Sequence, residues 1–308
     1  MHFFLRKTVF SEFVHLVYCD RQIIIVSMKN IPVLSLKGEI FTNYSGIKQL
    51  FRLYHQGRDF SNLTLSIDMY KLEWIDANLS SLFYAILYKL AVENNLRFST
   101  DVSYLKNKFD VLFRNGFFVN EEEVIDERKS TVVLKEFLPG DDKAYISYIE
   151  HDLMNHRGMP KFSKEVKQGI LNELIEVYTN IGLHARTDHP FFVCGQYYPK
   201  QENLIFTIVD LGVGFLTPIN EKIPAIDNDF DAIMWALEKS NTTKVGTPGG
   251  LGLYQLRKYC ENNNSDMQIL TGDIFWSSEL ASTVFDFRKF PQPFVGTTIN
   301  LIFSQKMC

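Results

Sequence analysis

NLIFTIVDLGVG, residues 203–214, runs an apolar, β-branched strand straight into a turn that carries one carboxylate and two glycines. Asp210 closes the strand, and Gly212 and Gly214 leave the backbone beyond it room to approach a planar ligand. A carboxylate at that point can accept a hydrogen bond from an exocyclic amine of the kind adenine presents. Just upstream, FFVCGQYY (191–198) is a second strand of the same character, and PKQE (199–202) between them predicts a hairpin.

Ahead of the hairpin, residues 163–184 are periodic and free of proline, which predicts a long helix. On a wheel of about 100° per residue, Ile170, Leu174, Val177, Tyr178 and Ile181 gather on one side, and Glu173, Glu176, Asn180 and His184 on another. In most helices such a polar stripe is simply solvated. Here Glu176 and Asn180 stand one turn apart and can serve one ligand. An amide oxygen suits Mg²⁺, which keeps most of its water and binds phosphates, and a glutamate can be general base to a water or hydroxyl.

Beyond the strand pair, residues 215–248 form a long excursion with one helix in it, DFDAIMWALEKS, before TPGGLGL (247–253) opens a helix over 251–262. Glycine amides at a helix start, facing the positive end of its dipole, make an anion site. The spacing is not G-x-G-x-x-G after a first strand, and no G-x-x-x-x-G-K-[ST] occurs, which excludes Rossmann and P-loop readings. STVVLKEF (130–137), MQIL, TVFDFR and TINLIF supply the remaining strands of this half.

The first half alternates strand-like QIIIVS (22–27), PVLSL (32–36) and NLTLSI (62–67) with helices. Asp76 is the expected N-cap of a helix carrying Leu79, Leu82, Phe83, Ile86, Leu87 and Leu90 and stopping at Asn94-Asn95, and residues 105–113 predict another. NEEEVIDERKS (120–130) offers no apolar face and reads as a linker, which gives domains 1–125 and 126–308. The chain has 308 residues, 46% hydrophobic and 22% charged, enough to bury cores, and its net charge of −4 argues against a broad nucleic-acid footprint. Cys19, Cys194, Cys260 and Cys308 form no CxxC pair, and no apolar run nears the ~20 residues of a membrane span, so a reduced, cytoplasmic setting is expected. Arg6, Lys7, Glu12 and His15 interrupt the apolar start and make a poor signal peptide.

In this order, Glu176-x-x-x-Asn180, Asp210-x-Gly212-x-Gly214, Gly249-Gly250-Leu251-Gly252-Leu253 and the terminal GTTINLIF (296–303) resemble the GHKL ATPase superfamily, over roughly residues 145–303. Gyrase, heat-shock chaperones, histidine kinases and anti-sigma-factor kinases belong to it. The resemblance implies a Bergerat fold, a two-layer α/β sandwich with helices on one face of a mixed sheet, and ATP with Mg²⁺ as cofactors. It makes Asn180 the Mg²⁺-binding asparagine, Asp210 the adenine-binding aspartate and Glu176 the general base. Gly212 and Gly214 become the first glycine box, and Gly249, Gly250, Leu251, Gly252 and Leu253 the second. Thr297 or Thr298 becomes the threonine near adenine, and 215–248 the ATP lid with Lys244 as a phosphate contact.

Residues 1–125 resemble a STAS domain, on NLTLSID and on WIDANLSSL opening a helix. Phosphorylatable members place a Ser or Thr close behind the aspartate; here Ala77 and Asn78 stand there, with Ser80 and Ser81 a turn further on. The combined resemblance implies an ATPase or protein Ser/Thr kinase of the anti-sigma-factor type. Its partner would be a protein, STAS-type or a sigma factor, and a second copy of the chain is a further candidate. One alternative is a nucleotide-gated binding module without turnover. Another is a histidine kinase, but His151 lacks the following proline, and neither it nor His156 has room for a helical hairpin ahead of Asn180.

Overall fold

The computed structural model describes residues 31–118, 125–239, 241, 252–263, 265–279 and 287–306. QIIIVS, residues 120–124 of the expected linker, and Lys244, Gly249, Gly250 and Leu251 lie outside the described residues. The chain is mixed α/β and divides into two units, Met1–Asp126 and Glu127–Cys308. No helix among the described residues is long and apolar enough to cross a membrane.

In the first unit, β1 (Val33–Ser35), β3 (Thr64–Asp68) and β5 (Arg97–Ser99) form a parallel sheet in the order β1-β3-β5. A separate parallel pair joins β2 (Gly38–Ile40) to β4 (Leu72–Ile75). Helix α1 (Tyr44–Gly57) is capped by Asn43, whose side chain accepts from Gly46 N at 3.0 Å. Helix α2 (Ser80–Asn94) is buried at every residue from Ser80 to Leu90, so it runs through the core rather than along the surface. It stops where Asn95 takes the left-handed conformation at φ 52°.

Asp76 does not cap α2. A short 3₁₀ turn, Ala77–Leu79, intervenes, and the buried Asp76 carboxylate instead accepts from Thr42 N (2.6 Å), Thr42 Oγ1 (2.9 Å) and Trp74 Nε1 (2.8 Å). Three donors from the chain beyond β2 and from β4 compensate its desolvation better than one helix amide would. Where one helix is expected over 105–113 there are two, α3 (Val102–Lys108) and α4 (Val111–Arg114), and Asp101 caps the first by accepting from Tyr104 N at 2.9 Å.

Among its described residues the second unit has five strands in the order β6-β7-β8-β10-β9: β6 (Thr131–Phe137), β7 (Phe191–Tyr198), β8 (Asn203–Asp210), β9 (Asp266–Ser277) and β10 (Phe287–Ser304). The resemblance implies a mixed sheet here, but all four pairings are antiparallel. The β7–β8 hairpin reverses the chain directly, and the later connections return it in the same alternating sense. Parallel pairing among the described residues is confined to the first unit.

Alternate strand residues face one layer of helices, as a period of two requires. Phe206 and Ile208 of β8, Ile299 and Leu301 of β10 and Met267 of β9 share a core with Leu174 and Val177 of α6 (Lys164–His184). Helix α5 (Asp142–Tyr148) adds Tyr145 and Tyr148 to the same core. Among its described residues the excursion after β8 contains two helices rather than one, α7 (Leu216–Lys222) and α8 (Asp229–Ala236), and α9 (Gly252–Asn262) follows it. Ile233 of α8 and Leu256 and Cys260 of α9 complete the layer.

Candidate functional site

Helix α6 starts at Ser163, whose hydroxyl accepts from Val166 N at 3.3 Å, and its apolar side is held on the sheet by Ile170, Leu171, Leu174, Val177 and Tyr178. That anchoring turns Glu176, Asn180 and His184 toward an open cavity of about 880 Å³, its mouth included. Asp210 and Ile208 from β8, Thr297 and Ile299 from β10, Gly214 from the turn and Leu253 from α9 line it further. The outer wall is made by Phe215, by Pro218 and Ile219 of α7, by Trp235 and Ala236 of α8, and by Asn241.

Asp210 is the buried charge of this site, at 7% exposure. Its Oδ1 accepts from Gly212 N at 2.8 Å, and β10 brings Thr297 opposite it in register, with both the hydroxyl and the amide of Thr297 donating to it. Burial outweighs these three donors and pushes the Asp210 carboxyl up to about 6. At neutral pH it is ionised yet poorly solvated, which makes it a strong acceptor for a ligand N–H. On α6, burial and then the charge of Glu176 raise Glu173 to about 7.

The register separates the two threonines. Thr297 pairs with Asp210 and stands on the cavity wall. Thr298 pairs with Val209, is fully buried, and its Oγ1 has no hydrogen-bond partner among the described residues. The glycines also divide. Gly214, at φ 73°, is on the wall, and a side chain there would press on Thr271 Oγ1. The space beside Gly212 is taken by the chain itself: a Cβ would collide with the Ala185 carbonyl, which also accepts from Val213 N at 3.0 Å. Gly212 thus docks the turn against the end of α6 rather than leaving room for a ligand. Gly296, at φ 107°, does the same for β10, since a Cβ there would collide with the Asp210 carbonyl.

Of the polar-stripe and motif residues singled out in the sequence, the cavity gathers Glu176, Asn180, His184, Asp210, Gly214, Leu253 and Thr297. Gly252 begins α9, and Lys244, Gly249, Gly250 and Leu251 are outside the described residues. Phe215, Ile219, Trp235 and Asn241 carry no motif that marks them as site residues. Ile219 and Trp235 reach the cavity from the helices of the excursion, and Phe215 and Asn241 from the chain beside them. Among the described residues no three His, Cys, Asp or Glu side chains converge as a metal cage. A divalent ion here would take the Asn180 amide oxygen together with oxygens of a phosphorylated ligand, a donor set that fits Mg²⁺. Chemically, the site offers a buried acceptor, apolar walls and an amide with a carboxylate around one cavity. No protein-family model matches the chain, nor does a curated protein or a solved structure.

Proposed function

We propose that the unit Glu127–Cys308 is a Bergerat-type nucleotide-binding domain of the GHKL class, taking ATP with Mg²⁺ to act on a partner protein as an ATPase or Ser/Thr kinase of the anti-sigma-factor type. The observation that carries the proposal is that one cavity collects Glu176, Asn180, Asp210 and Thr297 from three separate elements. In this reading Asp210 accepts the adenine amine, Thr297 holds Asp210 in place, and the apolar walls take the ring. Asn180 holds the Mg²⁺, and Glu176 accepts the proton of an attacking water or partner hydroxyl. The bound MgATP supplies an electrophilic γ-phosphoryl group.

The first unit is proposed as a STAS-like regulatory domain, supported by its β1-β3-β5 parallel sheet beside α1 and α2. Ser80 and Ser81 are buried, Ser80 Oγ accepting from Asn115 Nδ2 at 2.9 Å and Ser81 Oγ donating to Asn78 O at 3.0 Å. Control by phosphorylation at these serines is therefore not part of the proposal. The partner is a STAS-type protein or a sigma factor, and the setting cytoplasmic.

The test is calorimetry of the full chain with ATP and ADP, with and without Mg²⁺, at pH 7.5, where Asp210 is ionised. Asp210→Asn replaces the charge with an amide whose NH₂ opposes the adenine amine. Losing a charge-assisted hydrogen bond costs about 1.5–3 kcal/mol, so affinity should fall roughly tenfold or more. Absence of nucleotide binding in the wild type, or unchanged affinity in Asp210→Asn, would overturn the assignment.

A further inference from the structure

Helix α8 uses its apolar residues in two ways. Ala232, Ile233 and Leu237 are fully buried, and Phe230 and Met234 pack onto the core. Trp235 joins neither group; its half-buried indole lines the cavity that Asp210 enters from β8. A tryptophan is the largest apolar surface a chain can place, and leaving it on a wet wall sacrifices burial that a bound planar ring would restore. Phe215, the other aromatic on the wall, packs onto the core and has its N–H donated to Thr271 Oγ1 at 3.2 Å.

The helix that carries Trp235 is also held in advance. At the start of α8 the Asn228 side chain accepts from Asp231 N at 2.9 Å, and Phe230 stacks on Phe287 at 4.4 Å between centroids. Gly272, at φ 54°, gives the Asp229 carboxylate its seat against β9, where a Cβ would collide with it. At the far end the Trp235 carbonyl accepts from Asn241 Nδ2 at 3.0 Å and from Glu238 N at 3.2 Å. Little ordering of the α8 backbone remains to be done on binding.

We propose that Trp235 is the stacking wall for the base of the nucleotide and the residue that sets a preference for purine over pyrimidine bases. The inference rests on the nucleotide reading of this cavity and adds the residue that selects the base. Asp210 reads one edge of the ring through a hydrogen bond. Trp235 reads its face, and a bicyclic base covers more of an indole than a monocyclic one. Aromatic–base stacking is worth about 1–3 kcal/mol per base, or roughly fivefold to a hundredfold in affinity.

The experiment uses the full chain carrying Trp74→Phe, which leaves Trp235 and the fully buried Trp276 as the tryptophans. Adding MgATP should change the emission, and the change should vanish when Trp235→Phe is added, with affinity retained within a few-fold. By calorimetry, Trp235→Ala should lose about five- to a hundredfold for ATP and markedly less for CTP. An emission change that survives Trp235→Phe would overturn the stacking role. So would a folded Trp235→Ala that binds ATP as the wild type does. Equal losses for ATP and CTP would overturn the selectivity. If the parent chain binds no nucleotide at all, the nucleotide reading itself fails. Should Trp235→Ala not fold, the phenylalanine variant and its emission decide the matter alone.

Discussion

Glu176 and Asp210 line one cavity, but their surroundings give them different work. Asp210 is buried and tied by Gly212 and Thr297, a fixed acceptor, which the proposed function uses for recognition. Glu176 sits one helical turn before Asn180 on α6, where it can face the end of a ligand that carries phosphate. Glu176→Gln keeps the size of the side chain and removes the base. Loss of a general base costs about 10²–10⁴-fold in rate, so ATP turnover should fall by that order while nucleotide affinity stays nearly constant. Hydrolysis assays with and without candidate partner proteins, run beside a binding titration, provide the check. Equal, nonzero turnover in wild type and variant would remove Glu176 from the chemistry. A carboxylate, an amide and a strand-end aspartate can be picked from sequence because charge and spacing mark them. Trp235 looks like a core residue until the fold shows where α8 lies, and Phe215 both packs onto the core and borders the cavity.

At the level of elements, β7 and β8 can be read to the residue, because each is a continuous apolar run bounded by turn chemistry. Helix α1 is harder to see: Gly46 and Gly57 blunt its propensity, and only Asn43 and the spacing of Ile47, Leu50, Phe51 and Tyr54 mark it. Helix α7 is short and contains Pro218, so it merges with the loop around it. The turn after β8 shows why glycine spacing alone misleads. Gly212 and Gly214 look equivalent in D-x-G-x-G, yet one packs against α6 and the other borders the cavity. A pair of substitutions exposes the difference between a packing glycine and an unconstrained one. Gly212→Ala would drive a methyl into the Ala185 backbone, and overpacking of this kind costs about 1–3 kcal/mol. Gly169→Ala, on an exposed turn of α6 with nothing within 4 Å of the new Cβ, should add about 0.4–1 kcal/mol. Urea midpoints moving in opposite directions are the expected outcome. A neutral Gly212→Ala would contradict the packing role.

For the molecule as a whole, the site has a cost in stability that pH can uncover. Asp210 is raised from 3.8 to about 6 by burial, and Glu173 from 4.5 to about 7 by burial and Glu176. Both carboxyls hold a proton more tightly folded than unfolded, so their stabilising contribution is complete below about pH 4. It is lost as pH rises through 6 and 7, where each must ionise inside the protein. For the fully buried Asp210 the loss is on the order of 2–3 kcal/mol. Glu173 is partly solvated and adds in the same direction. The second unit should therefore unfold at lower urea at pH 7.5 than at pH 5. In the Trp74→Phe background, emission from Trp235 and Trp276 reports this unit specifically. Asp210→Asn should flatten the dependence and Asp210→Asn with Glu173→Gln should flatten it further. An unchanged slope in the double variant would sink the argument. Ligand binding should run the other way. A ring amine donating to Asp210 favours the ionised carboxylate, so ATP affinity should fall as pH drops below 6 and hold steady above 7. The burial that weakens the empty fold at neutral pH is the same burial that makes Asp210 a strong acceptor there, so stability and affinity should change in opposite directions across one titration.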